Sequence, residues 1–402
     1  MLRALATKHN VTLLAFVRSE EEKRHARHLA EFCERVETCL LPRSSWRDMT
    51  VLGASFLRGK PFIIARDYVA EMDAKVQELL ATNSYDVVHI DHLQMAQFVP
   101  NGGRTVTLLD EHNVEWRIIE RVARSESGMA KRIVAAVEWR KLREFEAAAC
   151  RDADYVLTVT KEDSNALSAL EKDGSDSCQP CKIYTIPIGV DTRYFEYSWQ
   201  PDPEPRSVFV GTMYWPPNVD CVTRYCRDIL PLIRRRAPSL EFDIVGLRPT
   251  AAVVELGRHA PGVHVSGSVE DVRPYMSRSR VFVVPLHAGS GMRVKILNAM
   301  AVGAPVVTTS VGCEGIEGLV TVRKPVQSNP NREANIWVAD SPEDFAEAVV
   351  TLAGDEDLAA GLSRNGRKLM VEKYDWGIIR QDVLGLYDRI EADINRKRAA
   401  LG

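Results

Sequence analysis

No stretch of this 402-residue sequence approaches the roughly 18 consecutive apolar residues of a membrane-spanning helix, so the chain is read as soluble. An excess of one charge is also lacking. Fifty-two basic residues stand against 55 acidic ones, a net charge of -3, which argues against a nucleic acid held on a basic surface. The local run Arg234 to Arg236 can touch phosphate or lipid head groups, although at a helix C-terminus it also suits a solvated cluster favoured by the helix dipole. No segment repeats at solenoid periods, and none is low in complexity. A secretory leader is missing from the first residues, so the eight cysteines suit a reducing cytoplasm better than a disulfide scaffold. Cys178 and Cys181 have the C-x-x-C spacing of redox and zinc sites, but no second pair or histidine partner follows at ligand spacing. They read as loop cysteines.

What the sequence does have is alternation. Short β-rich runs separated by amphipathic helical stretches predict parallel sheets covered by helices on both faces. In the first half these runs are 11–17, 36–41, 86–91, 105–110, 155–160 and 183–188; in the second, 207–213, 240–246, 263–269, 281–286, 305–310 and 335–340. Between them YSWQPDPEPR (197–206), with three prolines, cannot continue a helix or a central strand and reads as a linker. The expected fold class is α/β, two doubly wound Rossmann-like domains facing a cleft. The first covers 1–198 and the second 206–373, with a closing amphipathic helix in 374–402. Ligands of such domains sit beyond the carboxyl ends of the strands. The chain opens on a helical pattern, LRALATKH, so the first domain lacks the strand that normally precedes that helix. Either an upstream segment is lost or the domain is rearranged.

The most informative stretch is HAGSGMRVKILNAMAVGAPVVTT, residues 287–309. Gly289 and Gly291 let the backbone approach a ligand, and the helix that follows points unpaired N–H groups at the same space. Arg293 and Lys295 place two cations at the positive end of that helix, where the dipole disfavours them unless an anion compensates. A phosphate site is the reading. The bland alternative is a glycine turn with two solvated basic side chains.

These residues resemble the nucleotide-sugar glycosyltransferases of the GT-B fold, specifically the large retaining group called family 4, whose pattern G-x-x-x-K-x-L-E-A-M-A-x-G-x-P-V-V is matched here by GMRVKILNAMAVGAPVV. VFVGTMYWPPNVD, GSVEDVRPYMSRSRVFVVPL, VGCEGI, DVVHIDHLQMA, LLDEHNVEW, TIPIGVDTRYF and YDWGIIRQDVLGLYDRI extend the resemblance over nearly the whole chain. The resemblance implies that the final helix crosses back onto the first domain. It also implies a pair of glutamates eight positions apart; here those positions hold Ser290 and Asn298. An asparagine offers a ribose diol one acceptor and two donors without the charge of a carboxylate, which bears on donor affinity.

The activity implied is transfer of a sugar, with retention, from a nucleotide-sugar donor to a saccharide or lipid-linked saccharide acceptor. Cell-surface polysaccharide or glycan synthesis is the implied setting, in the cytoplasm or at the inner face of the membrane, with peripheral membrane contact. Growing negative charge on the departing diphosphate would be stabilised by Arg293, Lys295 and the helix N-terminus, with no cofactor and no metal. Asp152 and Asp154 have Asp-x-Asp spacing but directly precede a strand and read as turn residues. Gly211, Thr212, Ser290, Gly291, Met292 and Asn298 are the candidate donor-binding residues, with Val269 and Glu270 ending the third strand near the base and Glu314 near the sugar. Glu314 can equally be a turn carboxylate. His112, after a strand end, can hydrogen-bond a sugar hydroxyl or move a proton, or else cap the next helix. Asp91 and His92 are acceptor-side candidates, and His89 reads as a packed residue within its strand. The competing functions are a non-catalytic nucleotide-sugar-binding or scaffold protein and a GT-B nucleotide-sugar epimerase.

Overall fold

The structure is a computed structural model that describes residues 1–100, 105–125, 128–172, 181–287, 291–323 and 333–401. It divides into two compact units. The first comprises Met1–Ile186 with Arg380–Gly402, and the second Pro187–Ile379.

The second unit is built on one parallel sheet. Its strands are β7 (Arg206–Val210), β8 (Glu241–Val245), β9 (Val263–Gly267), β10 (Val281–Val284), β11 (Val306–Thr308), β12 (Thr321–Val322) and β13 (Ile336–Val338). They lie in the order β12-β13-β11-β10-β7-β8-β9. The near-continuous apolar text of β10 follows from this placement: all four of its residues are buried between neighbours, as are Val208, Phe209, Ile244 and Val307. The chain leaves β7 toward β8 on one side, while β10 pairs with β7 on the other. Connections therefore diverge between β7 and β10, and a doubly wound sheet opens a crevice at that point, beyond the carboxyl ends of the strands.

β9 is shorter than the expected run 263–269. It stops at Gly267, whose φ of 69° turns the chain out of the ladder. Val269 and Glu270 consequently lie past the strand end and do not close it. The edge strand β12, two residues long, has no counterpart in the sequence reading.

The first unit carries two separate ladders. β1 (Thr12–Val17) pairs with β2 (Arg35–Leu40), while β3 (Val87–Asp91), β4 (Val106–Glu111), β5 (Tyr155–Thr158) and β6 (Lys182–Thr185) form a second parallel sheet in that order. β1 and β3 do not pair. The closing helix Trp376–Leu401 belongs to this unit from Arg380 onward. Tyr387 Oη hydrogen-bonds His89 Nδ1 at 2.8 Å, Asp388 meets Lys8 at 3.1 Å, and Arg398 donates to Asp86 at 2.8 Å. Asp154, read as a turn residue, instead reaches across to β4, where its carboxylate accepts from the Thr107 amide at 3.0 Å. None of the seven described cysteines forms a disulfide, and Cys178 lies outside the described residues.

Candidate active site

In the second unit the crevice between β7 and β10 collects the residues that the sequence singled out. The helix after β10 begins at Val294 and runs to Val302. Arg293 is its N-cap and Lys295 stands in its first turn. Five of the six residues from Ile296 to Ala301 are buried, which fixes the helix against the sheet and leaves its N-terminus to carry the polar work. Ser290 lies outside the described residues; Gly291 follows with a φ of 72°, and Arg293 donates back to the Gly291 carbonyl. Met292 is buried, its sulfur 3.3 Å from the Ile188 amide.

Lys295 defines the chemistry. Its Nζ lies 2.8 Å from Asn218 Oδ1 and 4.1 Å from the centre of the Phe209 ring. No ion pair joins it to any described carboxylate. Lys295 is half-buried, and desolvation of its ammonium lowers its pKa from 10.5 to about 8. That fall corresponds to roughly 3 kcal/mol spent on holding the charge at neutral pH.

The glycines explain how backbone reaches the same space. A Cβ on Gly211 would stand 2.7 Å from Lys295 Nζ, and one on Gly246 would stand 1.7 Å from the Gly211 carbonyl oxygen. A side chain is thus excluded at Gly246, and one at Gly211 would have to displace the Lys295 ammonium. Asn218, buried, accepts from Lys295 and donates to the Thr212 carbonyl at 2.9 Å, tying the loop after β7 to the helix after β10. Asn298 is half-buried one turn further on and makes no side-chain hydrogen bond with described residues. Glu314 is half-buried in the turn after β11. Glu270 is exposed and Val269 half-buried. The basic run is structural, since Arg236 pairs with Glu347 and Arg234 donates to the Pro261 carbonyl.

In the first unit, three candidates meet at the carboxyl ends of two paired strands. Asp91 and Asp110 are register partners on β3 and β4, so the residues that follow, His92 and His112, emerge side by side. His112 Nε2 lies 2.8 Å and His92 Nδ1 3.1 Å from the same oxygen, Asp91 Oδ1. The two imidazoles stack with centroids 4.2 Å apart and planes 11° apart. Crowding opposes ionisation of Asp91, but the hydrogen bonds from His112 and His92 outweigh it and hold its carboxyl well below the usual range. Burial likewise opposes protonation of His112, and is outweighed by the Asp91 hydrogen bond and the nearby Asp110 charge, so its pKa is raised.

Several contributors were not legible in the sequence. His89, read as a packed strand residue, is half-buried and hydrogen-bonded: its Nε2 lies 3.1 Å from the buried Asp110 carboxylate. Glu146 is buried and accepts from the Glu115 and Trp116 amides at 3.1 and 3.0 Å, capping the helix Glu115–Ser125 that follows His112. Phe209 under the Lys295 ammonium carried no signal beyond its place in a strand.

Comparison with known proteins gives the class of the domain that holds this crevice. Residues 204–355 match the family model of glycosyl transferases group 1. This chain carries a glycosyl transferases group 1 domain. By that domain it is a glycosyltransferase, and the matched stretch contains Gly211, Asn218, Gly246, Lys295 and Asn298. Among curated proteins, an uncharacterized 44.6 kDa protein in the cps region of Klebsiella pneumoniae is 20% identical over 382 residues, covering 92% of this chain and 89% of its own. Among solved structures, sucrose-phosphate synthase from Thermosynechococcus elongatus superposes with a TM-score of 0.60 at 19% identity, covering 81% of this chain and 78% of its own. Anabaena HepE in complex with UDP-glucose gives 0.60 at 14% identity, covering 94% and 99%. The fold is that of the GT-B glycosyltransferases. Among the described residues no helix is long and apolar enough to cross a membrane.

Proposed function

We propose that this glycosyltransferase takes a nucleoside diphosphate sugar as donor and transfers the sugar to an acceptor hydroxyl with retention of configuration. The observation that carries the reading is the Lys295 ammonium, desolvated at a helix N-terminus with an amide oxygen and an aromatic ring for company and no carboxylate among the described residues. A diphosphate supplies the missing counter-charge. Charge on the departing diphosphate grows in the transition state, so Lys295, Arg293 and the helix amides stabilise it more than the ground state. These fixed positive groups take the part that a divalent ion plays on other diphosphates, and no metal is needed there.

Gly211, Thr212, Gly291 and Met292 are assigned to the backbone cradle of the donor, with Asn298 on the ribose and Glu314 on the sugar. Val269 and Glu270, beyond the end of β9, are assigned to the base, and Ser290 to the donor sugar by its place in the motif. His112, Asp91 and His92 are assigned to the acceptor side, where His112 can accept a hydroxyl proton. The acceptor class is a saccharide or lipid-linked saccharide, and cell-surface polysaccharide synthesis at the inner face of the membrane is the proposed setting. The UDP-glucose named for the Anabaena structure and the cps region named for the Klebsiella relative support these assignments.

Asn298 favours a second reading. Where the resemblance calls for a carboxylate on the ribose, an amide makes a weaker contact, as in a chain that binds nucleotide sugars without turning them over. A panel of UDP-, GDP- and ADP-sugars, followed for transfer and for thermal shift, separates the two. Transfer supports the proposal, a shift without turnover supports the binding protein, and an epimerised nucleotide sugar in place of transfer supports an epimerase. Lys295→Ala and Arg293→Ala are each expected to lower turnover by about 10² or more; unchanged turnover removes them from the mechanism.

A further inference from the structure

The pair of histidines at the strand ends of the first unit has a geometry that hydrogen bonding to an acceptor does not require. Asp91, His92 and His112 each present one ligand atom, and the three atoms lie within 4.8 Å of one another. Two ligands about 2.05 Å from a common ion stand about 2.9 Å apart at a right angle and about 3.3 Å apart at the tetrahedral angle. The observed separations from Asp91 Oδ1, 2.8 Å to His112 Nε2 and 3.1 Å to His92 Nδ1, bracket the right-angle value. Both separations are short enough for each imidazole to share an ion with Asp91, and the two nitrogens lie within 4.8 Å of each other.

We propose that Asp91, His92 and His112 bind a divalent first-row transition cation. Two imidazole nitrogens and one carboxylate oxygen suit Zn²⁺, Co²⁺ or Ni²⁺, whereas Ca²⁺ and Mg²⁺ seek sites made of oxygen alone.

Three further observations fit the assignment. His92 has φ 75° and ψ 145°, a backbone region that a residue with a Cβ rarely enters, and it is held there by its amide donating to the Asp110 carbonyl at 3.0 Å. This strained turn is what brings the second imidazole beside the first. The Asp91 and His92 side chains are 67% and 49% exposed, so the face of the ion opposite the protein would remain open to water or to saccharide hydroxyls. The buried Asp110 carboxylate lies 3.7 Å from the same nitrogen, His112 Nε2, and adds a negative charge that favours a cation there. Loading requires the stacked rings to tilt toward the ion, a motion of exposed side chains.

The site stands on residues of the first unit alone and does not depend on the donor assignment in the second; in the loaded form His112 Nε2 is a ligand, so the proton-accepting role proposed for His112 is given up and acceptor hydroxyls face the open side of the ion. Untagged full-length protein, stripped with chelator and dialysed, is titrated with Zn²⁺ by calorimetry and with Co²⁺ by visible absorption. The expected result is one equivalent of Zn²⁺ bound with a Kd on the order of micromolar or tighter, unaffected by millimolar Mg²⁺. His92→Ala, His112→Ala and Asp91→Asn should each weaken binding tenfold or more, while His259→Ala, a surface histidine elsewhere, should not. Thermal melts of each variant confirm that it folds, and Asp91→Asn serves where a histidine variant does not. Binding that survives His92→Ala and His112→Ala together, or no saturable Zn²⁺ uptake, overturns the inference. UDP binding is measured in parallel with chelator present; if it persists while the metal fails, the donor assignment stands and only the metal site falls.

Discussion

The two units use the same alphabet of parallel strands and crossover helices, yet they bury polar groups differently. In the second unit an unbroken seven-stranded sheet buries β10 and most of β7 completely and confines its chemistry to the strand ends, at Gly211, Asn218 and Lys295. In the first, the strands form two separate ladders, and β1 and β3 are only half-buried along most of their length. Polar side chains do there what neighbouring strands do in the other unit: His89, inside β3, ties the buried Asp110 to Tyr387 of the closing helix. A continuous sheet can be dry because every backbone group has a ladder partner, whereas a divided one recruits side-chain hydrogen bonds from remote elements.

The sharpest break of the comparison is at the dry crevice. Gly246→Ala would force a Cβ to within 1.7 Å of the Gly211 oxygen, with no side chain able to yield. Loss of more than about 4 kcal/mol is expected, seen as insoluble protein or a collapsed melt of the second unit; a melt within a degree or two of wild type would show that β7 and β8 are free to separate.

Next in size is Lys295→Met. It should abolish nucleotide binding while raising the melting temperature of the nucleotide-free protein, because it removes a desolvated charge that costs roughly 3 kcal/mol at neutral pH. A variant that both melts lower and binds nucleotide would contradict the charge argument on two counts.

The same group sets a pH window. Between pH about 8 and 10.5 the unfolded chain keeps a proton that folded Lys295 has released, so the Lys295 contribution makes stability rise with pH across that range. Nucleotide affinity runs the other way: a neutral amine no longer attracts the diphosphate, so binding should weaken as pH passes about 8. Calorimetric titration with UDP at pH 7 and pH 9 reads this directly.

Asn298→Glu is expected to tighten nucleotide binding by about tenfold if the ribose contact is real. The smallest effect belongs to the divided unit. Tyr387→Phe removes one hydrogen bond to His89 and should lower the stability of the first unit by about 1 kcal/mol, without touching UDP affinity.

Much of the fold was legible in the sequence because it rests on local pattern. The twelve expected strands all appear, most within one or two residues of the expected ends. The errors have physical causes. Val269 and Glu270 read as strand because they continue an alternation that Gly267 ends by its backbone conformation. β12 escaped because two residues at a sheet edge make no periodicity. Site residues were legible where one short motif carries them, as with Arg293 and Lys295. Pairings between distant segments were not legible: Asn218 and Lys295 are 77 positions apart, His89 and Tyr387 298.

The desolvated Lys295 ammonium also makes the donor a matter of survival for the chain. A ligand that binds only the folded form adds to its stability by about RT ln(1 + [L]/Kd), or about 2.7 kcal/mol at a hundredfold excess over Kd. Relief of a charge already held at a cost is one source of that gain. Proteases that sample opened chains would then clear the protein faster when its nucleotide sugar runs short, so supply of the substrate would govern how long each copy lasts. Limited proteolysis with and without UDP reads the effect, and equal cleavage rates would deny it.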